Sequence, residues 1–380
     1  VECPRTLKRL EYELVEDEFT RGAQIAVERA GERVIDIAVG DAGTGAPLTA
    51  STVFRVYCTI KPFTAVAVAR LVDMGLLDLD EPLEDRLPDV LGLTGGVTTR
   101  HLLTHTAGLD RVRGIDLELI PAGRRRARIA QAARRPGWRL GREAAYSEAA
   151  AWHVLGWVIE QVTGDDLRAH LRCHVIEPID LRSTWIGMTH DEYGAVFSRL
   201  GVNFDTRQGS FSPMLYERSE RVCCETNPAF GGYTTAADLA RFYTALLERL
   251  AGAGTDALPS PRLLAAFCSS ARPDMYDQVL DRSCPFGLGF MTSLDRHAFG
   301  DDCNASSFGH SGYVGTSFAF ADPEHALAVG VIFNGIVTHE SAFLRRRAIV
   351  RSLYADIVSP GLGEPVSEPR RKRWFNRRAE

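Results

Sequence analysis

Cys58 and Lys61 stand three residues apart in FRVYCTIKPFTAVAVARLVDMGLL, residues 54–77, where the pattern predicts the start of a helix. Side chains at i and i+3 meet on one helical face. A thiol at a helix N-terminus feels the positive end of the dipole, which favours thiolate, and a nearby ammonium favours it further. Such a pair could begin nucleophilic chemistry, with sulfur attacking an acyl carbonyl while lysine accepts or balances the proton. Taken alone, Cys-x-x-Lys has a simpler explanation, a buried cysteine beside a surface lysine. Tyr146 and His310, taken singly, also read as a capped core tyrosine and a satisfied histidine.

The elements around these residues predict how they are held. Residues 23–29 and 33–39 read as an antiparallel pair of strands turning at Gly31. In the segment after them, Ala65, Val68, Ala69 and Val72 give a helical apolar face, and their apolar neighbours suggest burial nearly all round. Pro62 fits the first turn, where its missing N–H costs little. Residues 80–230 read as mainly helical and loop-rich. Thr98 or Thr99 caps a short helix through Thr104, and a helix over 149–162 stops near Gly164. The basic run Arg124–Arg135 is expected to be a solvated helix face with alanine beneath. Thr234 or Thr235 precedes a helix over 236–250 with Asp238 in its first turn. Strands are predicted at 287–292, 313–321 and 326–333, with Asp322-Pro323 turning between the last two, and a helix at 341–354.

This pattern predicts an α/β (α+β) fold. Its sheet domain is discontinuous, built from 1–80 and 231–360, with an all-helical domain, 81–230, inserted. The tail 361–380 is expected to be flexible. Its run Arg370–Arg378 carries six positive charges and reads as a solubilising tail or a contact for an acidic partner.

The 380 residues are 45% hydrophobic and 24% charged, which excludes intrinsic disorder. A formal charge of -5 argues against a nucleic-acid binder. The stretch VECPRTLKRLEYEL lacks an apolar signal segment, and no run of about 18 apolar residues predicts a membrane span. Eight cysteines without a CxxC pair read as reduced and cytoplasmic, with no metal set among them. Cys223 and Cys224 are expected to be bystanders, and His101 and His105 scaffold residues.

Several segments together resemble the serine β-lactamase and penicillin-binding-protein superfamily, particularly class C enzymes and their esterase and transacylase relatives. The segment around Cys58 resembles the Ser-x-x-Lys site, with Cys58 where those families carry the nucleophilic serine. HLLTHTAGL at 101–109 and NPAFGGYTTAADLARF at 227–242 are similar to supporting segments. Tyr146-Ser147-Glu148 is similar to the Tyr-x-Asn motif, with glutamate for asparagine. His310-Ser311-Gly312 stands at the third motif, Lys-Thr-Gly in lactamases and often His-x-Gly in esterases.

The resemblance implies a β-lactamase-like fold, a mainly antiparallel sheet flanked by helices, and a catalytic set of Cys58, Lys61, Tyr146 and His310. The backbone N–H groups of Cys58 and Tyr313 would form the oxyanion hole. Glu148, Ser311 and Gly312 would bind substrate, with Glu148 near Lys61, raising its pKa and orienting it or holding an amine. Gly312 would let the strand edge approach substrate. No cofactor or metal is implied. Because a thioester favours attack by amines over water, the expected activity is a cysteine-nucleophile acyltransferase in secondary-metabolite biosynthesis. It would pass an acyl group to an amine, alcohol or thiol, with a small-molecule donor and acceptor and an acyl- or peptidyl-carrier protein as a candidate partner. The alternatives are a thioesterase, esterase or peptidase-type hydrolase, and an inactive binding or scaffold protein.

Overall fold

The computed structural model describes residues 2–16, 19–118 and 120–359, so the basic run Arg370–Arg378 lies outside the described residues. Eight strands form the main sheet: β1 (Gly22–Arg29), β2 (Glu32–Gly40), β3 (Arg272–Asp277), β4 (Arg282–Phe286), β5 (Met291–Thr292), β6 (Phe308–Ser311), β7 (Ser317–Asp322) and β8 (Leu327–Phe333). Their order is β2-β1-β8-β7-β6-β5-β4-β3, and every neighbouring pair is antiparallel. Ala23 pairs with Phe333, which joins β1 to β8 in the middle of the open sheet although some 300 residues separate them.

Burial explains the composition of each strand. β7 and β8 are buried at every residue, and so is β1 up to Glu28, so these strands carry continuous apolar runs. β2 lies at an edge and is buried only at Ile35. The polar Gln24 inside β1 is satisfied: its amide donates to the carbonyls of Thr49 and Thr52 at 2.7 and 2.8 Å. Its carbonyl accepts from the Ala236 amide at 3.1 Å.

Four helices position the rest: α1 (Lys61–Asp73), α2 (Ala150–Thr163), α3 (Ala236–Leu250) and α4 (His339–Ile357). Residues Lys61–Ala69 of α1 are all buried, as its all-round apolar character predicts. Phe63 stacks on Phe242 of α3 at 4.0 Å between ring centroids. α2 ends at Gly164 in the left-handed conformation, φ 78°. Thr98 and Thr235 cap their helices as expected. α3 lies so close to β8 that a Cβ on Gly330 would sit 2.2 Å from the Ala236 carbonyl, which excludes any larger residue.

Several expectations need correction. The predicted strand 313–321 starts only at Ser317, because Tyr313–Gly315 forms a 3-10 turn with Val314 at φ 37°. β3 and β4 carry Pro273, Pro285 and three arginine or aspartate residues at their ends, so propensity gave no strand signal there. The segment 81–230 is not purely helical. It supplies Trp185–Ile186, Phe204–Asp205 and Ser212–Pro213 to two small three-stranded sheets. Nor is the basic run 124–135 only a solvated face, since Arg125 is buried in an ion pair with Glu225 and Arg135 binds Asp110 at 2.5 Å. Among the described residues, no helix is long and apolar enough to cross a membrane.

Candidate active site

Cys58 sits in a 3-10 turn, Tyr57–Ile60, that runs directly into α1 at Lys61. Tyr57 is held at φ 50°, an uncommon conformation for an aromatic residue. Its hydroxyl donates to Glu217 at 2.6 Å. Glu217 also accepts from Asn203 at 2.9 Å and from Arg55 at 3.2 Å, so a buried network fixes the residue before the thiol. The first N–H groups of a helical turn lack intrahelical acceptors. Cys58 stands in that position, and so does Tyr313, first residue of its own 3-10 turn. The Tyr57 and Tyr313 rings lie 5.7 Å apart, which brings the two turns together.

Lys61 is fully buried. Its Nζ lies 3.3 Å from Cys58 Sγ, donates to the Glu148 carbonyl at 2.8 Å, and donates to the Ala229 carbonyl. This geometry suits both protonation states. An ammonium can give three hydrogens to sulfur and two carbonyls. A neutral amine can give two to the carbonyls and turn its lone pair to an S–H. A proton can therefore pass between sulfur and nitrogen without moving a heavy atom. Burial pushes the Lys61 ammonium down from the ordinary lysine range, against the opposing pull of Cys58 and, more weakly, of Glu148.

Glu148 thus pulls the lysine upward as expected, but burial outweighs it. Its backbone carbonyl, not its carboxylate, holds Lys61. The carboxylate turns towards Gly114 and Phe230, where a Cβ on Gly114 would lie 3.0 Å from Oε1. The half-buried Glu148 still lines the cavity.

Tyr146 lines the cavity with Cys58, and burial, followed by that neighbouring thiol, pushes its phenol well above the usual range. It therefore carries its proton at neutral pH. Its ring lies 4.4 Å from that of His105, whose Nδ1 accepts the Ser147 amide at 3.0 Å, a scaffold role of the kind expected for His105. The Tyr146 amide donates to Asp277 at 3.0 Å. Asp277 is paired with Arg272 at 2.9 Å, and both are buried. Sequence reasoning missed this pair because it belongs to the unrecognised β3–β4 hairpin. It also missed the Ala229 carbonyl, although the segment NPAFGG contains it.

His310, on β6, is buried, and burial holds its imidazole well below the usual range, with Lys61 adding to the effect. Its Nδ1 lies 3.0 Å from the Ser311 carbonyl, which fixes the hydrogen there and leaves Nε2 as an acceptor. Its ring centroid is 6.2 Å from that of Tyr146. Ser311 faces the cavity, with Oγ 3.9 Å from Met291 Sδ. Gly312 lines the cavity and is also packed closely: a Cβ there would lie 2.2 Å from Ser317 Oγ and 2.6 Å from the Val56 carbonyl.

The cavity beside these groups measures about 380 Å³. Cys58, Tyr146, Glu148, Ser311 and Tyr313 form its polar wall, while Val279, Leu280, Met291 and Phe343 form an apolar one. Lys61 and His310 stand behind the wall. Arg282 and Arg346 also line the cavity. Arg346 is buried, and burial followed by Arg282 pushes its guanidinium down to about 10. Among the described residues no carboxylate pairs with it, and its Nε has no hydrogen-bond partner.

An antiparallel sheet flanked by helices, with the turn that carries Cys58 packed against β6 and β7, has the β-lactamase-like architecture. The chain belongs to the Beta-lactamase family, whose profile matches residues 7–353. It is similar to "Esterase/beta-lactamase LipL" of Mycobacterium tuberculosis, 27% identical over 92% of this chain and 87% of that protein. It is also similar to "Monacolin J acid methylbutanoyltransferase" of Aspergillus terreus, 28% identical over 36% of this chain and 38% of that one. Among solved structures, a penicillin-binding protein homologue from Caulobacter crescentus superposes with a TM-score of 0.75 and 25% identity, covering 93% of this chain and 96% of that one. The relatives thus include hydrolases and transferases.

Proposed function

We propose that the protein is an acyl-enzyme hydrolase of the β-lactamase family that uses Cys58 in the serine's place, on an ester or thioester. The observation that carries this reading is the placement of Cys58 Sγ, 3.3 Å from Lys61 Nζ, on the wall of a cavity that Tyr146 also lines. Sulfur attacks the acyl carbonyl and forms a C–S bond while its proton passes to Lys61. The oxyanion lies between the N–H groups of Cys58 and Tyr313, a stabilisation worth several kcal/mol, on the order of 3–4 per donor removed. As the bond to the leaving group breaks, Tyr146 donates its proton and regains one from Lys61. His310 and Ser311 position the tyrosine and the substrate. Water then attacks the thioester and releases the acid.

The cationic end of the cavity, Arg346 with Arg282, favours a substrate with an acidic group, because a buried guanidinium without a counter-charge is costly. The relative named as an esterase and β-lactamase supports hydrolysis. A second reading, transfer of the acyl group to an amine, alcohol or thiol, rests on the thioester that Cys58 would form. In that reading the donor is a small thioester or an acyl group on a carrier protein. All eight cysteines are unbridged, which fits a reducing, cytoplasmic setting.

The test is intact-protein mass spectrometry after incubation with an acyl thioester, with and without an added amine. An acyl mass on the Cys58 peptide, absent in Cys58→Ala, supports the covalent reading. Free acid as the sole product supports hydrolysis, and amide supports transfer. No adduct on the native protein with any activated ester would leave a binding role instead.

A further inference from the structure

Away from the cavity, Asp165, His170 and His174 each bring one potential ligand atom within 4.8 Å of the others. Asp165 follows Gly164, which ends α2. His170 lies in the helix Leu167–Leu171 and His174 in the π-helical segment Arg172–Ile176 that continues it. Four residues make close to one turn in either geometry, so the two imidazoles share a face. Their ring centroids are 4.6 Å apart. His170 is only 4% exposed.

We propose that Asp165, His170 and His174 form a binding site for a zinc-type divalent cation, which ties the end of α2 to the helix that follows it. His170 Nδ1 and Asp165 Oδ2 are 3.4 Å apart. That is long for a charge-assisted hydrogen bond. It matches the edge of a tetrahedron whose metal–ligand bonds are about 2.0–2.1 Å, roughly 3.3–3.4 Å. Asp165 and His174, the two less buried members, close the triangle by side-chain rotation. Two imidazoles and a carboxylate suit zinc, copper or nickel better than magnesium or calcium. Three protein ligands leave the fourth position to water. No other hydrogen-bonding partner among the described residues competes for the His174 ring. The segment Arg172–Ile176 packs against α1, the helix that begins at Lys61, so the cation would brace the rear of that helix without touching the reacting atoms. The inference does not depend on the proposed reaction.

The test is calorimetric titration of the full chain with Zn²⁺, followed by thermal unfolding with and without the metal. Asp165→Asn and His174→Gln preserve size and are exposed enough to fold. His190→Gln is the control, because His190, Glu220 and Cys224 form a second cluster that could take up zinc. The expected result is a zinc equivalent whose affinity falls more than about tenfold in the first two variants and not in the control. Zinc should also raise the unfolding midpoint of the native chain and the control alone. Equal stoichiometry and affinity in the native chain, Asp165→Asn and His174→Gln would overturn the proposal. So would binding lost only in His190→Gln.

Discussion

The amide of Tyr146 donates to the carboxylate of Asp277 across 3.0 Å, although 131 residues separate them in sequence. The same carboxylate caps the amides of Val279 and Leu280, at 3.0 and 3.1 Å, on the apolar wall of the cavity. One buried ion pair, Arg272–Asp277, therefore sets both the tyrosine and the opposite wall. Asp277→Asn keeps an acceptor but leaves Arg272 uncompensated. It should cost about 3–5 kcal/mol in urea unfolding. Acylation of Cys58 should slow even under conditions where the variant is fully folded.

Lys61→Met should slow acyl-adduct formation by about 10²–10⁴-fold, the usual contribution of a positioned acid–base group. Quenched-flow mass spectrometry would measure it. Because burial lowers the Lys61 pKa, acylation by the native protein should rise with pH and level off below the ordinary lysine range. The stability effect has a definite sign. The unfolded chain holds the lysine proton to higher pH, so Lys61 contributes increasing stability as pH rises from its folded value to its unfolded one. A rate profile identical in Lys61→Met and the native protein would sink this assignment.

Gly312→Ala places a methyl group against Ser317 Oγ and the Val56 carbonyl. Ser317 Oγ donates to that carbonyl at 2.7 Å and lies 2.8 Å from Thr59 Oγ1, so the clash is passed to the Cys58 turn. Overpacking of this kind costs about 1–3 kcal/mol. The thermal midpoint should fall, and labelling of Cys58 by an activated ester should fall with it.

Acid should unfold the protein in a window set by buried histidines. Burial lowers His297 to about 4 and His153 to about 3. The unfolded chain binds these protons first, so stability falls as pH drops from about 6.5 towards those values. His297 contributes up to about 3 kcal/mol. Its Nε2 lies 2.9 Å from the Pro285 carbonyl. His297→Gln retains a donor that does not titrate, and should flatten the dependence of the unfolding midpoint between pH 6.5 and 4. An unchanged slope would show that other groups control acid unfolding.

Local sequence determined much of this protein. The buried helix after Cys58, the caps at Thr98 and Thr235, the stop at Gly164 and the apolar strands β1, β7 and β8 follow from periodicity and from turn and cap chemistry, which act within a few residues. The i, i+3 meeting of Cys58 and Lys61 follows from the same local geometry. Tertiary structure decided the rest. Which part of Glu148 meets Lys61 depends on the path of a loop 87 residues away, and it is the carbonyl. The direction of the Lys61 shift depends on burial from every side, which no local pattern records. Gly312 is required by Ser317 and Val56, and Tyr146 is anchored by a hairpin whose prolines and charges hide it from propensity. Desolvation and close packing sum over neighbours distant in the chain, so only the folded molecule fixes their sign.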